Sequence, residues 1–203
     1  MKEQIILRLR ESADIKLRFA KESVAEVDEA ASTIVKCLKS GGKVLIFGNG
    51  GSAADSQHIA AEFVNKYSRE RKALSALALT TDSSILTSIP NDGSFDDVFS
   101  RQIEALGNKG DVAWGLTTSG KSGNVIKAFK TARSLGLKSI AFTGQDKSKV
   151  EKVVDCCVSV PSKSTPRVQE LHITLAHIVC ELVEDSLCSK KDLCGDLHRT
   201  SPF

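Results

Sequence analysis

Long apolar runs are missing from this 203-residue chain: none approaches the roughly 20 residues that span a bilayer, so no membrane partner is expected. Charge of one sign is missing too. The formal net charge is +3 and charged residues make up 26%, close to the globular average, which leaves no basic excess for nucleic acid. The opening stretch MKEQIILRLRESADIKLRF is charged throughout and lacks the apolar core of a signal peptide. A cytoplasmic protein is expected. Six cysteines, at 37, 156, 157, 180, 188 and 194, show neither zinc-finger nor Cys-x-x-Cys spacing. Cys37 and Cys180 fall in apolar helical patterns and are expected as buried thiols. The length suits a single domain spanning 1–203 with a sizeable core.

Residues 3 to 22 place Ile5, Leu9, Ala13 and Leu17 four apart among many charges, the pattern of an amphipathic helix. A second helix runs from 24 to 40 and ends at Gly41-Gly42. Neither has a strand of its own to cover, so packing on another subunit is expected. Strands are expected at 44–47, 74–79, 112–116, 139–143 and 153–160. Helices are expected at 52–66, from Asp82 or Thr81 through Thr87, at 95–106, 123–135 and 167–187. Ile89 to Gly93 reads as a turn, 161–166 as a loop and 189–203 as a polar tail. Alternating strands and helices give an α/β fold with a parallel sheet.

The chain is organised around Val44 to Phe63. An unbroken apolar run, Val44-Leu45-Ile46-Phe47, suits a strand buried on both faces. Gly48-Asn49-Gly50-Gly51 then turns the chain, and Ser52 stands where a helix N-cap would. A strand, a glycine-rich turn and a helix start present N–H groups and a positive dipole end to an anion. The run lacks the Gly-Lys-Ser/Thr ending of a P-loop and fits the dinucleotide fingerprint only loosely, with Ala53 in place of the third glycine. A glycine turn also suits any tight β–α connection. His58 and Glu62 argue for more, because four-residue spacing puts both on one helix face.

A second turn, Thr117-Thr118-Ser119-Gly120-Lys121-Ser122-Gly123, places four hydroxyls between a strand and a helix, a setting that suits a phosphate group. No acidic pair is placed to hold magnesium, and no residue is placed to attack phosphorus. The turn therefore reads as a handle for a phosphate held while chemistry happens elsewhere on the molecule. Ligands of such sheets bind outside the carboxyl ends of the strands, so both turns belong on one rim. The last helix carries Gln169, Glu170, His172 and His177. Glu170 and His177, seven apart, nearly eclipse, whereas Gln169 is turned about 80° from His177 at about 100° per residue. Helix geometry leaves both open.

Four blocks in order, GNGGSAADSQHIAAEF, LTTDSSILTSIPNDGSFDDVFSRQIEALGNKGDV, TTSGKSGNV and RVQELHITLAHIVCEL, resemble the phosphoheptose isomerases of the sugar-isomerase (SIS) superfamily. The similarity runs from about residue 20 to 187. It implies a three-layer α/β/α sandwich, flavodoxin-like, with five parallel strands and added N-terminal helices, assembled as a homotetramer. It implies an aldose-ketose isomerase that converts sedoheptulose 7-phosphate to D-glycero-D-manno-heptose 7-phosphate, the first step toward ADP-heptose for surface polysaccharide.

By position, the resemblance puts one zinc ion on His58, Glu62, Gln169 and His177, choosing Gln169 over Glu170. Substrate contacts fall on Asn49, Gly50, Gly51, Ser52, Glu62, Asn91, Asp92, Thr117, Thr118, Ser119, Ser122 and Gln169. Glu62 and His177 become the proton-transfer pair. A base and an acid about a cis-enediolate meet the needs of a hydroxyketone, with zinc polarising the carbonyl. Three positions depart from the family: Thr117 for Ser, Lys66 for Arg in some members, and Pro166 for Asp in some. A rival reading is a non-catalytic SIS protein of the DnaA-binding replication-initiator type. Its relatives lack an acid at the position of Glu62 and have Arg at that of Ser119, and this chain has neither change.

Overall fold

The computed structural model describes residues 1–188; the polar tail expected at 189–203 lies outside the described residues. Chain order runs α1 (Lys2–Glu22), α2 (Val24–Lys39), β1 (Val44–Gly48), α3 (Gly51–Val64), β2 (Ala76–Ala78), α4 (Ser83–Asp92), α5 (Ser100–Leu106), β3 (Val112–Thr117), α6 (Gly123–Ser134), β4 (Lys138–Thr143), β5 (Cys156–Ser159) and α7 (Thr165–Leu187). All five strands pair in parallel in the order β2-β1-β3-β4-β5. This is the flavodoxin-like order, and it reverses between β1 and β3.

The apolar strands divide their side chains between two cores. Val44 and Ile46 of β1, with Trp114 of β3 and Phe142 of β4, pack against α2, α3 and α7. Leu45, Phe47, Ala113 and Ala141 face the opposite way, against α5 and α6. Helices on both faces explain why β1 and β3 are buried along their whole length and why their sequences do not alternate. Each fully buried large side chain, such as Trp114, Phe47 or Phe129, contributes about 1.5–3 kcal/mol. Cys37 and Cys180 are buried thiols as expected, and burial pushes them up to about 11 and about 12.

Several element boundaries differ from expectation for local reasons. The strand expected over 74–79 shortens to Ala76–Ala78 because β2 is an edge with only β1 beside it. The edge strand expected over 153–160 likewise shortens to Cys156–Ser159, preceded by a 3-10 turn at Glu151–Val153. The helix expected over 95–106 opens as a 3-10 turn at Phe95–Asp97 and becomes α-helical only at Ser100. Asp82 caps α4, accepting from Ile85 N–H at 3.0 Å, and α4 continues through Pro90 to Asp92 where a turn was expected. Proline's fixed φ is helical, and its missing N–H costs α4 only one bond near the end. The last helix starts at Thr165 rather than 167, with Pro166 in a first turn that tolerates it.

Helix α1 stands apart. Only Ile15 and Phe19 are buried, while Ile5, Leu9 and Leu17 are at least 60% exposed. The Arg18 guanidinium donates to the Pro161 carbonyl, and Arg167 Nη1 donates to the Arg8 carbonyl at 3.2 Å. Among the described residues, no helix is long and apolar enough to cross a membrane.

Candidate active site

Parallel pairing in register sets Gly48 opposite Leu116, so β1 and β3 end side by side and open both turns onto one rim. Gly50, at φ +59°, stands at the cap of α3, which starts at Gly51, one residue before the expected 52. Ser52 is therefore inside the first turn of α3, 4% exposed, and is not the cap that its position suggested. Across the rim, Thr117 Oγ1 and Ser122 Oγ lie 3.2 Å apart, and Ser119 Oγ accepts from Lys121 N–H at 3.2 Å. Gly120, at φ +65°, presses on the Asp146 carbonyl; a methyl group there would lie 2.0 Å from that oxygen. Ser119 is exposed and Thr118 half-buried, while Thr117 is buried.

The two turns are locked together by amides. Asn49 Nδ2 donates to Asn124 Oδ1 and Asn124 Nδ2 donates to Asn49 Oδ1, both at 2.9 Å. Asn124 is 2% exposed, and its oxygen also takes Val125 N–H at 2.9 Å. The Asn49 side chain thus serves to fix the rim.

On α3, His58 Nε2 is 3.1 Å from Glu62 Oε1. From α7, His177 Nε2 approaches His58 Nε2 to 3.4 Å, with ring centroids 5.0 Å apart. One donor atom from each of His58, Glu62 and His177 lies within 4.8 Å of the other two. The His58 side chain is 48% exposed and that of Glu62 21%, so the cluster opens outward. Two ring nitrogens aimed at each other, with a carboxylate oxygen beside them, are a donor set that suits zinc or a similar divalent ion. Asp55, one turn before His58, adds a buried Oδ2 with no hydrogen-bond partner among the described residues. Burial pushes the Asp55 carboxyl up, and the charges of His58 and His177 oppose that.

Gln169 lies over the glycine turn: a methyl group on Gly51 would stand 1.8 Å from its Nε2. Glu170, the other candidate on that helix, faces Arg167 Nη1 at 2.9 Å. His172 is wholly buried, with Nε2 3.2 Å from the Thr143 carbonyl, and burial brings it down to about 4. Asn91 and Asp92 end α4, exposed and bonded to each other at 2.8 Å. Among the described residues they make no hydrogen bond to either turn.

The SIS domain model matches residues 9–144. A phosphoheptose isomerase of Thermodesulfovibrio yellowstonii is 51% identical over 187 residues, 92% of this chain and 93% of that protein. One from Aquifex aeolicus is 51% identical over 190 residues, 94% of this chain and all of that protein. The chain belongs to the phosphoheptose isomerase family of SIS-domain proteins. The solved structure of a phosphoheptose isomerase from Neisseria gonorrhoeae superposes with a TM-score of 0.86 at 43% identity, covering 91% of this chain and 98% of that one.

Sequence reasoning missed four residues of this region. Asp55 is three before His58 on α3, and that spacing was a usable signal. Asn124 follows the hydroxyl turn directly. Arg71 and Glu184, which bind each other at 2.8 Å, carry no signal in sequence, being 113 residues apart.

Proposed function

We propose that the chain converts sedoheptulose 7-phosphate to an aldoheptose 7-phosphate by proton transfer through a cis-enediolate. The observation that carries this reading is Glu62 held with His58 and His177 between α7 and α3, the helix that the glycine turn of the same rim opens. The phosphate sits at the turn, held by Thr117, Thr118, Ser119 and Ser122 and by the N–H groups that open α6. Asn49, Gly50, Gly51, Ser52, Asn91, Asp92 and Gln169 contact the carbon chain and its hydroxyls.

Glu62 takes the proton from carbon 1 of the ketose, exchanges it with solvent while the enediolate lives, and delivers a proton to carbon 2. His177 moves a proton between the two oxygens, so the sugar is oxidised at carbon 1 and reduced at carbon 2 with no external electron acceptor. Glu62 uses Oε1 toward His58 and leaves Oε2 without a hydrogen bond among the described residues. One carboxylate can therefore serve both as ligand and as base. His58, Glu62, Gln169 and His177 would hold one zinc ion. When bound, zinc supplies a positive centre that stabilises charge on the enediolate oxygens.

A homotetramer is part of this reading. Its support is the exposed apolar side of α1 and a cavity of about 270 Å³ lined by Phe19, Val24, Val27, Leu171, Ile178 and Leu182. A dianionic sugar phosphate does not cross a bilayer unaided, so the reaction belongs in the cytoplasm with its substrate.

The test is turnover of sedoheptulose 7-phosphate in deuterium oxide. An enediolate route puts solvent deuterium on carbon 2 of the product, and Glu62→Gln removes the reaction. Product formed with no deuterium at carbon 2, at any stage of the reaction, would point to direct hydride transfer and contradict the route.

A further inference from the structure

The side chains of the cluster come from two helices far apart in sequence, His58 and Glu62 on α3 and His177 on α7. Neither helix by itself sets the gap between them. The segment just after α3 spans it. Glu184 lies on α7 seven residues after His177, two turns along the same face. It is 1% exposed. Its carboxylate accepts from the N–H groups of Tyr67 at 3.0 Å, Ser68 at 2.9 Å and Arg69 at 2.5 Å, and from the Ser68 hydroxyl at 3.1 Å.

Arg71 completes the connection. Its Nε donates to Glu184 Oε2 at 2.8 Å, and its side chain is 6% exposed. The other guanidinium nitrogens cap the open end of α3. Nη2 donates to the Glu62 carbonyl at 2.7 Å, and Nη1 donates to the Phe63 carbonyl at 2.9 Å. One guanidinium therefore holds the backbone of Glu62 and the helix of His177 at the same time. The same segment sets the Tyr67 ring 5.7 Å from that of His177.

Packing alone does not call for this arrangement. An apolar pair of similar volume often holds two helices as well as a buried ion pair does. What an apolar pair lacks is direction. The planar fork of arginine fixes where the last carbonyls of α3 lie relative to Glu184. We propose that Arg71 and Glu184 are positioning residues that set His58 and Glu62 against His177 and so set the affinity for a divalent metal, an inference that rests on the metal site read above.

The experiment measures zinc affinity of the full chain by competition with a chromophoric chelator, alongside the thermal midpoint. Arg71→Lys keeps the charge and loses the fork; Glu184→Gln keeps the shape and loses the charge. Each is expected to weaken zinc binding by about 10–100-fold, the range for groups that orient metal ligands. The double variant Arg71→Met with Glu184→Gln leaves no unpaired buried charge and keeps an oxygen to accept from the N–H groups of Tyr67, Ser68 and Arg69. Its thermal midpoint should recover relative to Arg71→Met alone while zinc affinity stays weak. Parent-like zinc affinity in Arg71→Lys, or affinity that recovers together with stability in the double variant, would overturn the proposal and leave the pair a purely structural one. Should the double variant not fold, Arg71→Lys decides. If the parent itself binds no zinc, the metal reading fails separately. The crystal structure of Arg71→Lys then decides the positioning: a widened gap between the His58 and His177 rings upholds it, and the parent's 3.4 Å approach refutes it.

Discussion

Replacing Glu184 with Gln should cost about 3 kcal/mol of stability at neutral pH, and most of that cost should vanish in acid. Burial pushes the Glu184 carboxyl up, but the N–H groups of Ser68, Tyr67 and Arg69 and the Arg71 guanidinium outweigh it and hold it at about 2, against an ordinary 4.5. At about 1.4 kcal/mol for each pH unit, that difference is about 3–3.5 kcal/mol. It agrees with the roughly 3–5 kcal/mol cost of breaking a buried pair. The sign follows from the lowered folded-state value. The stabilisation is complete above 4.5 and is lost as pH falls through about 2. Glutamine carries no charge at any of these pH values, so its penalty should shrink over the same window. For a chain of this size 1 kcal/mol moves the melting midpoint by about 2–4 °C, so the variant should melt about 6–12 °C lower at pH 7. Circular-dichroism melts at pH 7, 5, 3.5 and 2.5 check this, at one protein concentration because assembly adds stability by mass action. A gap of the same size at every pH, or one under about 2 °C at pH 7, would refute the reasoning.

Glu62→Gln should lower kcat by about 10²–10⁴-fold, the usual loss for a general base, while gel filtration shows the parent's assembly; near-normal turnover would remove Glu62 from the mechanism. Ser119→Ala with Ser122→Ala should raise KM for the phosphorylated heptulose far more than it changes behaviour toward the unphosphorylated sugar. Equal effects on both sugars would take the phosphate away from the 117–123 turn. Gly51→Ala should fold normally, since Gly51 is not among the positive-φ glycines, yet displace the Gln169 amide that a methyl there would meet at 1.8 Å. A crystal structure of that variant with Gln169 unmoved would contradict the close approach.

Much of this was legible where a local pattern and a physical rule coincide. The apolar run of β1, the glycine turn after it and the hydroxyls after β3 are enough by themselves to put both turns on one rim. His58 and Glu62 shared a face by spacing alone. The limits of the edge strands were not legible, because a strand with one neighbour ends where its partner stops pairing, and β2 carries no mark of that in its residues. Ile89 to Gly93 reads as a turn, but a helix capped by Asp82 carries Pro90 near its end. Helical angle could not choose between Gln169 and Glu170. Their surroundings separate them: Gly51 of α3 lies beneath Gln169, whereas Glu170 pairs with Arg167 three residues earlier on α7 itself. Pairs such as Asn49 with Asn124 or Arg71 with Glu184 depend on how helices and loops meet, which no periodicity records.

The most direct test of the central claim, a metal-dependent site built by α3 and α7, measures zinc content and turnover of sedoheptulose 7-phosphate together in two histidine variants. His58→Ala should lose both. His172→Ala, whose ring is buried beneath Phe142 and faces the Thr143 carbonyl, should keep both at reduced stability. Zinc bound as in the parent by His58→Ala, or lost from His172→Ala while His58→Ala retains it, would contradict the account.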